Sequence, residues 1–247
     1  MTVALVTGGS RGIGRATSLL LAQEGYSVVV NYHTNTEAAQ AVVNEIRLAG
    51  GTAEAIRADV SDEAQVVTMF EQIDRLFGPV DALVNNAGIL FQQARLETLT
   101  AARINQVLTT NVTSYFLCCR EAVKRMAHQH GGKGGAIVNV SSAASRLGAP
   151  GEYVDYAASK GAVDAMTTGL SLEVAGQGIR VNGVRPGFIY TEMHASGGEP
   201  GRVDRVKTAI PMQRGGQPEE VAQAIAWLLS DKASYVTGSF IDMAGGK

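Results

Sequence analysis

The chain opens with a short apolar run, residues 2–6, that stops on Thr7-Gly8-Gly9-Ser10-Arg11-Gly12-Ile13-Gly14. Behind the glycines, Ile13, Ala16, Thr17, Leu20 and Leu21 recur at helical spacing as far as Gly25, a residue type that ends helices. A strand that turns through glycines directly into a helix leaves the first N–H groups of that helix free and aimed at the turn. Gly8 allows the turn to be tight, and Gly12 and Gly14 let the backbone close on a pyrophosphate and on the sheet. Ser10, Arg11 and Ile13 ride on the same turn and are candidate contacts for the same ligand. The spacing, Thr-Gly-x-x-x-Gly-x-Gly, departs from the commoner G-x-G-x-x-G.

The strand-then-helix alternation continues to the end. Apolar strand patterns cover residues 26–32, 52–57, 80–84, 136–140, 179–184 and 240–243. Between them, helical periodicity covers 36–49, 62–77, a short stretch near 100–105, a long one over 107–130, a helix carrying Tyr156 and Lys160 to about 175, and 219–229. Continuous apolar strands alternating with amphipathic helices predict a parallel sheet covered on both faces. The expected fold is therefore α/β: a doubly wound sheet of about seven mostly parallel strands with helices on both faces, in three layers. At 247 residues it is read as one domain, 1–247, with no repeat or linker. The segment 190–216, glycine-rich and broken by Pro200 and Pro211, is the one long irregular piece and is expected to be a substrate-binding loop.

Composition narrows the function classes. A net charge of -2 with no basic cluster argues against nucleic acid. Apolar runs such as 26–30 are too short to span a bilayer, and the first residues enter a strand without a signal-like region. Cys118 and Cys119 are adjacent, so they cannot staple distant parts of the chain. They are read as small buried hydrophobes in a cytoplasmic protein. No spaced set of His, Cys and carboxylate ligands is present, so no metal is expected.

An acidic residue that grips a ribose 2′-hydroxyl would end the second strand, about 20 residues past the glycines. That region reads Val30-Asn31-Tyr32-His33, with no Asp or Glu before Glu37. Without a carboxylate to repel a 2′-phosphate, and with Arg11 and His33 as donors, NADP(H) is expected over NAD(H), which remains possible. Asp59-Val60, at the end of the third strand, is placed either to contact adenine or to form a turn.

Tyr156 and Lys160 stand four apart in a helical pattern and share one face. A free phenol, with a pKa near ~10, is a poor acid or base at neutral pH. A neighbouring ammonium stabilises the phenolate and makes the pair a candidate proton-transfer device. Tyr153 is no alternative, because Ala157 stands where its lysine would be.

Taken together, residues 7–14, Asn85-Asn86-Ala87-Gly88, Asn111, Ser142, Tyr156-x-x-x-Lys160 and Pro186-Gly187 occur in order and in context. Over essentially its whole length the chain resembles the short-chain dehydrogenase/reductase family, in its compact single-domain branch with a Rossmann sheet. Within it, the likeness is to glucose 1-dehydrogenase-like and 3-oxoacyl-acyl-carrier-protein reductase-like bacterial members. The resemblance implies an NADP(H)-dependent oxidoreductase that interconverts a carbonyl and a secondary alcohol. It implies Tyr156 as general acid/base, Lys160 as the group that lowers its pKa and binds the nicotinamide ribose, and Ser142 as donor to the substrate oxygen. Asn111 would hold a water linking Lys160 to solvent. Asn86, Ala87 and Gly88 would line the adenosine ribose; Pro186, Gly187, Ile189 and Thr191 would contact the nicotinamide carboxamide. A homotetramer is implied, built on the 107–130 and 154–175 helices and the last strand.

Ser142 lies 14 residues before Tyr156, where 13 is usual, so Ser141 competes with it; strand alternation lets only one face the cleft. Glu152 and Tyr153 either line the cleft or belong to loop surface, and His194 is a candidate substrate contact. Arg202, Arg205, Lys207 and Arg214 are offset by Glu199 and Asp204, which reads as a solvated lid. His128 and His130 are read as helix-end caps, and Trp227 as core or interface. Two rivals stand beside the enzyme: a non-enzymatic NADP-binding sensor or scaffold, and an NAD-dependent sugar epimerase.

Overall fold

The computed structural model describes residues 2–247. In chain order the elements are β1 (Val3–Val6), α1 (Gly12–Gln23), β2 (Ser27–Tyr32), α2 (Thr36–Leu48), β3 (Thr52–Arg57), α3 (Glu63–Phe77) and β4 (Ala82–Asn85). They continue with α4 (Ala101–Leu108), α5 (Ser114–Met126), β5 (Gly135–Val140), α6 (Ala144–Leu147), α7 (Val154–Val174) and β6 (Ile179–Pro186). The last are α8 (Met193–Ser196), α9 (Arg202–Val206), α10 (Pro218–Leu229) and β7 (Phe240–Met243). The seven strands form one sheet in the order β3-β2-β1-β4-β5-β6-β7, every neighbouring pair parallel. The order reverses between β1 and β4, and a doubly wound sheet opens a crevice at the carboxyl ends of its strands there.

Strand alternation divides the interior into two cores. Val3 and Leu5 face the layer of α3, α5 and α7, against Phe70, Ile73, Tyr115, Met126 and Val163. Ala4 and Val6 face the layer of α1, α2 and α10, against Leu21, Val42, Ile46 and Ile225. Among the buried polar side chains is an amide relay. Asn85 donates to Asn139 Oδ1 at 2.9 Å, and Asn139 donates to Thr167 Oγ1 at 2.9 Å. Because a buried amide needs its partners, this relay fixes the ends of β4 and β5 against α7, just below the crevice.

Local chemistry sets the helix starts. Asn35, Asp62 and Thr100 accept from the N–H groups of Ala38, Gln65 and Arg103, and Pro218 opens α10. Four expectations shift. The fourth strand lies at 82–85 rather than 80–84. The stretch 107–130 does not form one plain helix: α4 runs through a π-helical turn, Thr109–Thr113, into α5, which ends at Met126. Thr- and Val-rich sequence is a weak α former, and Ser114 Oγ donates to the Thr110 carbonyl at 2.5 Å within this turn. His128 and His130 fall in a 3-10 turn beyond α5 and do not cap it. Finally, 190–216 contains α8 and α9. No helix among the described residues is long and apolar enough to cross a membrane.

Candidate active site

The glycine turn is held from three sides. A Cβ on Gly14 would overlap the Gly8 carbonyl and stand 2.6 Å from Asn86 Nδ2, so only glycine lets α1 seat this deeply. Gly12 has φ +49° and faces the Thr191 methyl, so the turn closes against the segment after β6. The Asn86 amide donates to the carbonyls of Thr7 and Gly8 at 3.0 and 3.1 Å. Thr7 Oγ1 accepts from the N–H groups of Asn86 and Ala87 at 2.9 and 3.0 Å. Asn31 completes the frame: its side-chain oxygen accepts from Gly8 N–H at 3.3 Å while its amide donates to Ile56 and Ala58. The sequence reading passed over Asn31 as a ligand-shaping residue. Its signal was an amide at the end of an otherwise apolar strand.

A cavity of about 630 Å³ runs from this turn across the strand ends. Gly8, Ser10, Arg11, Gly12 and Ile13 line one end, and Tyr32, His33, Asp59, Val60, Asn86, Ala87, Gly88 and Thr191 line the rest. Gly14 lies behind the turn as its packing residue. Asp59 forms the turn of its second reading and also lines the cavity. Its Oδ1 accepts from Ser61 N–H and Oγ–H at 2.9 and 2.6 Å, forming a turn, while Oδ2 stands 3.7 Å from His33 Nε2 at the cavity. The first turn of α1 carries no acidic residue, and Arg15 is already paired with Glu45. Arg11 remains at the helix start, where an anion is favoured. This elongated cavity with an anion cradle fits a nicotinamide dinucleotide.

Tyr156 and Lys160 do share one face of α7, but their electrostatics differ from the simple expectation. Burial pushes the Tyr156 phenol above its ordinary value, with a hydrogen bond from Ser142 opposing. Burial pulls Lys160 down to about 7, with Asp164 opposing. The ammonium makes no hydrogen bond to the phenol: Nζ donates to the Val140 carbonyl at 2.8 Å and to Tyr115 Oη at 3.2 Å. It lies 5.8 Å from the Tyr156 ring centre. Lys160 therefore does not depress the Tyr156 pKa in this geometry.

The two serines separate cleanly. Ser141 is buried and directs its hydroxyl to the Lys160 carbonyl at 3.2 Å. Ser142 Oγ accepts from Ala144 N–H at 3.1 Å and stands by the Tyr156 phenol. Ser142→Ala is accordingly expected to reduce kcat about 10²-fold, the scale of one lost oxyanion donor, and Ser141→Ala by far less. A steady-state comparison of the two variants checks the assignment. Asn111 sits in the π turn, a frequent feature of functional sites. Its side chain is fully used: Oδ1 accepts from Ile89 N–H at 2.7 Å, and Nδ2 donates to the Ile89 carbonyl and Ser159 Oγ.

Ser142, Tyr156 and Lys160 line a second cavity of about 410 Å³ with Pro186, Gly187 and Ile189 from the end of β6. Its outer wall is mainly apolar and includes Leu90, Leu147, Pro150, Phe188 and Met193. The two cavities share Ile13, Asn86, Thr191 and Met193, so they adjoin there, and the catalytic candidates line the smaller one. Glu152, Tyr153 and His194 line the smaller cavity. His194 Nε2 pairs with the Ile189 carbonyl at 2.9 Å, and burial lowers its pKa.

The segment 190–216 is pinned over this cavity. Arg202 is buried against Glu152 and pairs with Glu199 at 3.1 Å. Tyr153 Oη donates to the Gly197 carbonyl at 3.3 Å. The sequence reading had Arg202 in a solvated lid; its carboxylate partner Glu152, 50 residues away, is invisible to local pattern. Trp227 lies outside the site, half-exposed on a groove with Tyr26 and Arg180 at the other end of the strands.

A parallel sheet, a glycine turn onto a helix start, and a Ser–Tyr–Lys group at its crevice define a class, and comparison with known sequences agrees. Residues 8–247 match the family described as enoyl-(acyl carrier protein) reductase, and the chain is an oxidoreductase belonging to the short-chain dehydrogenase/reductase family. It is 78% identical over 247 residues, 100% of both chains, to the "uncharacterized oxidoreductase YgfF" of Escherichia coli. It is 41% identical over 243 residues, 98% of this chain and 96% of the relative, to the 3-oxoacyl-[acyl-carrier-protein] reductase FabG of Staphylococcus aureus. The 3-oxoacyl-[acyl-carrier-protein] reductase of a Synechocystis species is 42% identical over 249 residues, covering 99% of this chain and 96% of its own.

Proposed function

We propose that this oxidoreductase interconverts a carbonyl and a secondary alcohol using NADP(H), with Tyr156 as general acid/base. The observation that carries the reading is that Ser142, Tyr156 and Lys160 meet in a cavity that shares part of its wall with the larger one. Bound in the larger cavity, a nicotinamide dinucleotide supplies or takes up the hydride. Ser142 donates to the substrate oxygen as charge develops there, and the Tyr156 hydroxyl passes its proton to the same oxygen. Burial keeps that phenol protonated at neutral pH, which suits reduction. Lys160 would give its remaining ammonium hydrogen to the nicotinamide ribose. With its side chain used, Asn111 would hold a water through its main-chain carbonyl. Pro186, Gly187, Ile189 and Thr191 would orient the nicotinamide end from the segment where the cavities join. The apolar outer wall excludes water from the transfer.

The preference for NADP(H) rests on Arg11 at the helix start and the absence of a carboxylate on Tyr32 and His33. Arg11→Ala is expected to lower kcat/KM for NADPH about tenfold or more, the worth of one charge-assisted phosphate contact, and to change NADH little. Initial rates with both cofactors decide this. The functional reading as a whole is tested by following NADPH absorbance over sugars, 3-oxoacyl thioesters, diketones and quinones, with Tyr156→Phe as the control. Turnover that is unchanged in the control overturns it.

A homotetramer is part of the same proposal. Phe116 on α5 is 54% exposed and Leu172 on α7 is 79% exposed, apolar surface of the kind that marks an interface. β7 leaves a free sheet edge for a second contact. The two free, buried cysteines accord with a reducing cytoplasm.

A further inference from the structure

An ammonium has three hydrogens to give, and the fold takes two of those on Lys160. One goes to the Val140 carbonyl at 2.8 Å and one to the Tyr115 hydroxyl at 3.2 Å. Tyr115 donates its own hydrogen to the same carbonyl at 3.0 Å. The three groups form a closed triangle, and Val140 ends β5, the strand that leads to Ser142. Tyr115 is 1% exposed in the core beneath the cavity. A phenylalanine would fill that space equally well, and a buried hydroxyl is costly unless it is bonded. Packing therefore gives no reason for the oxygen.

The other ionisable groups near Lys160 do not duplicate this contact. Cys118 and Cys119 lie beside Tyr115 on α5, and burial raises both thiols and the Tyr115 phenol, keeping them neutral. On α7, Tyr156 is neutral for the same reason. Asp164, also on α7, gives its Oδ2 to Arg185 of β6 at 2.9 Å. Among the described residues, Tyr115 Oη is the one side-chain acceptor within hydrogen-bond distance of Nζ.

We propose that Tyr115 is a positioning residue for Lys160: its phenol oxygen takes one ammonium hydrogen, anchors Nζ to β5 and leaves one hydrogen for the cavity. Its catalytic consequence rests on the proton transfer proposed above; the anchor itself does not. Because Lys160 is buried, this acceptor also stabilises the charged form of a lysine whose pKa burial has already brought down to about 7. Removing it lowers that pKa further.

The test is Tyr115→Phe, read by the pH titration of ¹³Cε-labelled lysine in the unligated enzyme. The Lys160 signal is assigned by its loss in Lys160→Met. The midpoint is expected to fall by about one pH unit, tenfold in the ionisation constant, with the thermal midpoint nearly unchanged. With a reducible carbonyl, the alkaline limb of the kcat profile moves down by the same amount while KM for that carbonyl holds. An unmoved Lys160 midpoint overturns the anchor, whatever the activity. A shifted midpoint in an enzyme that reduces no carbonyl leaves the anchor standing and removes the proposed function.

Discussion

Tyr156→Phe is expected to lower kcat for carbonyl reduction by about 10²–10⁴-fold, the range that a positioned acid/base contributes, with little change in KM for NADPH. The substitution removes one oxygen and keeps the ring, so the α7 packing around Ala157 and Lys160 stays. What is lost is the phenol proton, held in place by the hydrogen bond with Ser142. Burial raises the phenol, so the wild-type acid stays loaded across neutral pH and the oxidative direction, which needs the phenolate, rises with pH. Paired steady-state assays in both directions, across pH 6 to 9, check the size of the loss and the sign of that dependence. A variant within about threefold of wild type would leave Tyr156 with no acid/base role.

Lys160→Met is expected to abolish turnover and, at the same time, to stabilise the fold. The folded pKa of Lys160 is depressed to about 7 by burial, whereas an unfolded lysine titrates near ~10.4. Below pH 7 both states carry the proton, and the cost of burying the charge is felt in full. Between about 7 and 10 the unfolded chain binds more protons than the native one, so wild-type stability rises with pH there. Methionine fills the same space without a charge. At pH 7 the gain should be about 2–4 kcal/mol, allowing for the two hydrogen bonds that the ammonium gives up. Chemical denaturation at pH 6.5 and 9 reads both parts: the variant is more stable at the lower pH, and the gap narrows at the higher one. A gain in stability with loss of activity is the mark of a residue retained for chemistry.

Much of this was legible in residue order. Strand-and-helix alternation carried the whole sheet, because parallel strands buried on both faces read as unbroken apolar runs. The glycine turn and the Tyr156–Lys160 pair were legible from residue type and spacing, and Ser142 from the family pattern to which they belong. What escaped depended on contacts between distant segments. Tyr115 looks like any core aromatic on a helix, and only the fold brings its oxygen to Lys160. Arg202 looks like one more lid charge until Glu152 buries it. The partners of Asn111 were equally hidden: its amide bonds Ile89 and Ser159. The direction of Lys160 was missed for the same reason: spacing places a side chain on a face but does not say which way its end turns.

The π turn at Thr109–Thr113 sets the phase of everything behind it. It holds one residue more than the surrounding α geometry needs, and each residue turns a helix by about 100°. Val107 ahead of it and Tyr115, Cys118, Ala122 and Met126 behind it are buried. Excising the extra residue would let the rod close as a plain helix with both flanks still in phase, so Tyr115 would keep its place. Closing the rod without a deletion would instead bring Ser114 there, and the phenol oxygen beside Lys160 would be gone. In this short stretch chain length works as a vernier, and the extra residue keeps the aromatic wired to the lysine.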